Sequence, residues 1–176
     1  MRKLKLLLFV VLVGPGFLSF INGIPEPKVG LAIGDRVPEL QTTLLNGSEF
    51  DLETLQGKMV LIDFWASYDG ESRMENHQKM MLQKKFANSK FYKGEGFVIV
   101  SISLDRFKSP LKNAIKQDGF TNALHICDYK GAESSISKTF EVTRPINLLI
   151  DGDGRLVARS SSIDKVTESL EYLSRN

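Results

Sequence analysis

The junction between two adjoining stretches most constrains this chain. Met59-Val60-Leu61-Ile62-Asp63-Phe64 is an apolar run with one acid, and it leads straight into Trp65-Ala66-Ser67-Tyr68-Asp69-Gly70-Glu71-Ser72-Arg73. The run reads as a buried strand. Gly70 marks a tight turn, and a helix is expected from there to about Phe86. Met74, Met81, Leu82 and Phe86 form its expected apolar face, with lysines opposite. Strand, turn and helix N-terminus follow one another without a spacer.

The flanking pattern extends this unit into a domain. Leu40 to Leu45, Asn46-Gly47 and Glu49-Phe50 predict a β-hairpin, because Asn-Gly suits the positive φ values of a two-residue turn. Asp51–Leu55 predicts one helical turn closed at Gly57. Phe97–Ser103 predicts a second central strand. Ser109-Pro110 opens a helix with Pro at its first position, faced by Leu111, Ala114 and Ile115. Ala123–Cys127 is expected to be extended and Ser134–Phe140 helical. Ile146–Ile150, the turn Asp151-Gly152-Asp153-Gly154 and Arg155–Arg159 predict a second hairpin, and Ile163, Val166, Leu170 and Leu173 line a closing helix. Alternating strands and helices ended by a hairpin and a helix define an α/β protein with a mixed central sheet flanked by helices.

Four motifs carry a family likeness: Gly34-Asp35-Arg36-Val37-Pro38, Leu55-Gln56-Gly57-Lys58, Phe64-Trp65-Ala66-Ser67, and Pro145 followed by Leu149-Ile150-Asp151 and Gly154. On these the chain resembles the thioredoxin-like proteins of the TlpA/ResA and AhpC/TSA (redoxin) group. The resemblance implies a thioredoxin-like fold with an N-terminal β-hairpin extension, and a thiol–disulfide oxidoreductase ancestry. It also implies a Cys-x-x-Cys after the first central strand, where this chain has Asp69-Gly70-Glu71-Ser72.

Thiol–disulfide exchange needs one thiolate to attack and a second thiol to resolve the mixed disulfide. The chain has a single cysteine, Cys127, so a dithiol catalyst and an intramolecular disulfide are both excluded. A carboxylate at Asp69 can still accept helix N-terminal amides and oppose the positive end of the helix dipole. Ser72 keeps the size of a cysteine without its reactivity. Asp63, six residues before Asp69, stands where relatives carry a buried acid, and is expected to be a satisfied, partly buried strand residue.

The resemblance places Pro145 at the family's cis-Pro position and Arg144 beside it, facing the degenerate motif. The expected binding groove is Trp65, Tyr68, Asp69, Gly70, Glu71, Ser72, Arg144 and Pro145, and Arg144 is expected to form an ion pair with Asp69 or Glu71. Its occupant would be a protein or extended peptide, held by β-augmentation. The alternative is a monothiol oxidoreductase acting through Cys127 with an external thiol; a free cysteine in a short apolar segment otherwise reads as a buried hydrophobe.

No cofactor or metal is expected. His77 and His125 lie far apart with no ligand at metal spacing. Asp151–Gly154 lacks the oxygen ligand at Leu149 and the downstream Glu of a calcium loop. Peroxidase chemistry lacks its Thr and Cys, since positions 66 and 69 are Ala and Asp. Lys79, Lys84, Lys85, Lys90 and Lys93 read as a solvated basic face.

Residues 1–23 have the layout of a secretory signal or, if uncleaved, a membrane anchor. Arg2, Lys3 and Lys5 precede an apolar run from Leu6 to Val13, broken by Gly14-Pro15-Gly16. Residues 24–33 read as a linker and 34–176 as the domain, with export to the periplasm or cell envelope as the expected destination. Three of the 23 basic residues and none of the 21 acids lie in the first segment, so the remainder carries a net charge of −1. Nothing in that balance selects nucleic acid.

Overall fold

In the computed structural model, residues 28–174 are described, so the expected signal or anchor lies outside them. A five-stranded sheet organises the domain. Its strands are β3 (Met59–Trp65), β6 (Phe97–Ser103), β7 (Leu124–Ile126), β8 (Ile146–Ile150) and β9 (Leu156–Ser160), in the spatial order β7-β6-β3-β8-β9. β3 pairs in parallel with β6, and β6 with β7, while β8 runs antiparallel to both β3 and β9.

Every residue of central β3 is buried, as its near-continuous apolar sequence requires. Alternate side chains feed two cores. Val60, Ile62 and Phe64 pack with Val100, Ile102, Phe140 and Leu148 on one face. Met59, Leu61 and Trp65 pack with Leu82, Phe86, Ile99, Phe120, Val166 and Leu170 on the other. The second face is covered by α1 (Gly70–Phe86), α2 (Lys108–Gln117) and α4 (Ile163–Leu173); the short α3 (Ser135–Thr139) precedes Phe140 of the first.

Several expected features are corrected. The N-terminal hairpin is present as β1 (Gln41–Thr43) and β2 (Glu49–Asp51), but Thr43 pairs with Glu49 and residues 44–48 make the turn. Asn46 stabilises that longer turn by accepting from the backbone N–H and hydroxyl of Ser48, and Leu45 leaves the hairpin to donate its N–H to the His125 carbonyl. A small hairpin of β4 (Lys90–Phe91) and β5 (Gly94–Glu95) stands between α1 and β6, where the sequence pattern shows only a loop. Pro110 is the third residue of α2, with Phe107 as its N-cap. Residues 28–33, within the expected linker, are folded against the domain: Gly30 donates to the Arg36 carbonyl, and the adjoining Gly34 to that of Leu156.

The largest correction concerns α1. Met74 and Met81 are 79% and 57% exposed, and the face turned inward consists of Ser72, Glu75, Asn76, Lys79, Leu82 and Phe86. Its N-terminal half is polar because it packs against polar groups on neighbouring elements. Asp118, at the C-cap of α2, receives Arg73 Nη2 at 2.6 Å and Asn76 Nδ2 at 2.8 Å. Partial burial raises the Asp118 pKa, but those donors outweigh it and hold the carboxyl below its ordinary range.

Candidate functional site

Asp105, in the β6–α2 loop, shapes the segment between β3 and α1. Its carboxylate accepts the Ser67 N–H at 2.9 Å and the Ser67 hydroxyl, and is itself oriented by the Ser103 hydroxyl at 2.7 Å. A backbone turn from Ala66 to Asp69 follows. Asp69 then takes extended dihedrals as the N-cap of α1, and its Oδ1 accepts the Ser72 N–H at 2.8 Å. The expected capping role of Asp69 is met. Ser72 is buried, with its hydroxyl turned back to the Asp69 carbonyl at 3.2 Å. Tyr68, Gly70 and Glu71 are exposed.

Beneath this loop lies a buried charge cluster. Asp63 is 1% exposed, and its Oδ1 accepts from Lys79 Nζ at 2.8 Å. Lys79 is fully buried as well, so its assignment to a solvated face is wrong: the stem lies inside, and the ammonium is neutralised from the strand. Glu75 joins it, 3.4 Å from Lys79 Nζ through Oε2. The same Oε2 accepts from Asn147 Nδ2 at 3.2 Å, while Oε1 accepts the N–H of Ile163, the first residue of α4, at 2.8 Å. Glu75 thus ties α1, β8 and α4 together and places a negative charge at the positive end of α4.

The expectation of a satisfied, partly buried Asp63 is corrected on both counts. The residue is fully buried, and its Oδ2 has no hydrogen-bond partner, as is true of Asn147 Oδ1 across the β3–β8 register. Burial pushes the Asp63 carboxyl above its ordinary range, more strongly than Lys79 pulls it down, and Glu75 adds to the rise.

A cavity of about 210 Å³ opens over this cluster, with Asp69, Glu71, Ser72, Arg144 and Pro145 among its lining residues. Five of the eight predicted groove residues line this one cavity, Gly70 does not, and four further points are corrected. Trp65 is not part of it; the ring is fully buried, packs edge-on to Phe120 and donates to the Ser101 hydroxyl at 2.7 Å. Arg144 lines the cavity but makes no ion pair with Asp69 or Glu71 among the described residues, because Asp69 is engaged as a cap and Arg144 and Glu71 are solvated. The Arg144–Pro145 peptide bond is trans, the isomer a tertiary amide prefers by a small margin. Tyr68 borders a different hollow, formed with Leu104, Arg106, Phe107 and Pro110.

Cys127 follows β7 and lies outside both hollows. Its Sγ accepts the Tyr129 N–H at 3.4 Å and lies 3.5 Å from the Asp105 carbonyl. Burial raises the thiol pKa, and the Asp105 and Asp128 charges add to that against hydrogen bonds from Tyr129 and Ser103. A thiol shifted this way is a poor nucleophile at neutral pH. Alkylation by iodoacetamide is expected to be slower in the folded protein than in denaturant at any pH below the ordinary thiol value of about 8.5. Its rate should go on rising with pH beyond that value, where the denatured thiol has levelled off; equal rates in the two states at neutral pH would contradict the assignment.

His125 is structural. Its Nε2–H donates to the Phe120 carbonyl at 2.6 Å, leaving Nδ1 to accept from the Ser101 hydroxyl at 3.0 Å. Burial lowers its pKa despite the Phe120 contact.

Sequence reasoning misses Glu75, Lys79 and Asn147. One signal could have found them. A lone acid in an otherwise apolar strand requires a buried cation, and Ser72, Glu75, Lys79 and Leu82 recur on one helical face, so Lys79 is the available partner.

A mixed sheet with β3 and β6 parallel, a strand–loop–helix site at the end of β3, and a closing hairpin and helix define a thioredoxin-like protein. The Redoxin family profile matches residues 32–172, and the chain belongs to that family, as a redoxin of the TlpA/ResA type. It is 27% identical over 173 residues to the thiol-disulfide oxidoreductase ResA of Bacillus anthracis, covering 97% of this chain and 94% of that one. The crystal structure of the thioredoxin domain of a thiol-disulfide oxidoreductase from Bacteroides vulgatus is similar at a TM-score of 0.71 and 25% identity, over 82% of this chain and 99% of that one. A thiol-disulfide oxidoreductase from Bacteroides fragilis gives a TM-score of 0.67 at 25% identity, over 79% and 99%.

Proposed function

We propose that this chain is an exported, redox-inactive member of its family that binds a protein or extended peptide at the cavity beside the N-terminus of α1. The observation that carries the reading is the capping contact of Asp69. The position expected to hold a nucleophilic thiolate holds a carboxylate committed to the Ser72 amide at 2.8 Å. Ser72, at the second expected cysteine position, offers a buried hydroxyl turned toward backbone carbonyls.

The cavity keeps backbone groups that a ligand could use. Thr143 and Arg144 make no hydrogen bonds among the described residues, so their N–H and C=O groups are available to a strand-like ligand. Export to the periplasm or cell envelope rests on the basic and apolar pattern of residues 1–23.

Disulfide-reductase turnover with dithiothreitol as electron donor tests the redox part, using the protein beside its Cys127→Ala variant. Both are expected to match the uncatalysed rate. Turnover by the native protein that the variant loses would make Cys127 a working monothiol and overturn the reading.

A further inference from the structure

We infer that the cavity over Asp63 receives the basic side chain, Lys or Arg, of the bound peptide. This rests on the peptide-binding reading above and names what that groove selects. Three observations carry it.

The first is unmet hydrogen-bonding capacity of one kind. Asp63 and Asn147 both line the cavity, both are almost fully buried, and each has a side-chain oxygen with no donor. Two orphaned acceptors call for a ligand rich in N–H groups, which an ammonium or guanidinium supplies. The second is charge. Asp63 and Glu75 share the single ammonium of Lys79, leaving the second carboxyl with no cation of its own and only the N-terminal end of α4 and the Asn147 amide to offset it, and at the rim Asp69 and Glu71 outnumber Arg144. The third is room, since about 210 Å³ exceeds the space of a single bridging water, which needs only about 10–15 Å³. Among the described residues no group of His, Cys, Asp and Glu is placed to hold a metal ion, which leaves an organic cation as the matching chemistry.

The raised Asp63 pKa fits this picture. A proton and an incoming cation compete to neutralise the same carboxyl, with Lys79, Glu75, Asp69, Glu71 and Arg144 as the other charged groups around it. Affinity for a basic peptide is therefore expected to rise with pH, and affinity for a neutral one to stay level.

Calorimetric titration of the full chain with the blocked pentapeptides acetyl-Ala-Ala-X-Ala-Ala-amide, where X is Lys, Arg, norleucine or Glu, tests the inference. The Lys and Arg peptides are expected to bind at least about tenfold more tightly than the norleucine and Glu peptides, the low end of what a charge-assisted hydrogen bond contributes. The rim variant Asp69→Asn/Glu71→Gln, which keeps a capping side chain at position 69, should narrow that gap by weakening the basic peptides more than the norleucine peptide. Equal binding of all four peptides would overturn the basic-side-chain pocket and leave the peptide groove standing. Binding of none would overturn both. n-Butylammonium chloride binding as tightly as the Lys peptide would overturn the assignment to a peptide side chain.

Discussion

Replacing Lys79 with Met is expected to lower the free energy of unfolding by about 3–5 kcal/mol, the range found when one partner of a buried ion pair is removed. Lys79 is fully buried, and its ammonium lies 2.8 Å from Asp63 and 3.4 Å from Glu75. Without it the carboxyls of Asp63 and Glu75 are left in the buried cluster with no cation between them. Since a domain of this size holds a total stability of only about 5–15 kcal/mol, the variant would give up a large share of it. Adding Asp63→Asn should recover most of the loss, because the liability is the uncompensated charge rather than the absent lysine. Chemical denaturation of the single and double variants checks this, and a double variant no better than the single one would contradict it.

The same cluster predicts the pH dependence. The Asp63 carboxyl binds its proton more tightly folded than unfolded, because its folded pKa lies above the ordinary value of 3.8. Its linked contribution therefore favours the folded state most at low pH. That contribution declines as pH rises from the unfolded value through the raised folded one, and then levels off. Asp63→Asn should abolish that slope.

Glu75→Ala is expected to cost on the order of 3 kcal/mol, since it strands two buried donors at about 1–3 kcal/mol each. Those donors are the Ile163 N–H at the start of α4 and Asn147 Nδ2 on β8. The loss should be localised, with amide hydrogen exchange accelerating in the first turn of α4 before the sheet opens. Glu75→Gln keeps an acceptor for the Ile163 N–H but sets an NH2 where Oε2 receives Asn147 Nδ2, so it should cost less than Ala, about 1–3 kcal/mol for the one donor it strands. Equal losses for Ala and Gln would show that charge, not the capping of α4, is what Glu75 supplies.

Much of the fold is legible in the sequence because its signals are local. The apolar runs Met59–Phe64 and Phe97–Ser103 form the two central parallel strands. The period of Ile163, Val166 and Leu170 forms a closing helix with those side chains buried. Asp69 is readable as an N-cap from its place between strand and helix. The two-residue turn expected at Asn46-Gly47 fails because register across a hairpin belongs to both strands, and Leu45 is pulled away by the His125 carbonyl.

The failure at α1 has a different cause. Periodicity assigns apolar residues to the core and lysines to solvent, a good rule when burial is decided by hydrophobicity alone. Here Met74 and Met81 are outside and Lys79 is inside. Trp65 shows the same logic in reverse. Family likeness places it in the groove, whereas its alternation with Leu61 and Met59 along β3 puts it in the core with Phe120.

By itself the sequence determined the α/β class, the absence of a dithiol, the strand–turn–helix junction and the carboxylate that caps it. These are properties of single residues, or of spacings within one element. Only the tertiary structure decided that Asp63, Glu75, Lys79 and Asn147 form one buried cluster, and that Arg144 and Asp69 share a cavity without pairing. The physical reason is that a buried charge is tolerable only beside its partner. The partners here come from β3, α1 and β8, which packing brings together although the chain separates Asp63 from Lys79 by 16 positions and Glu75 from Asn147 by 72.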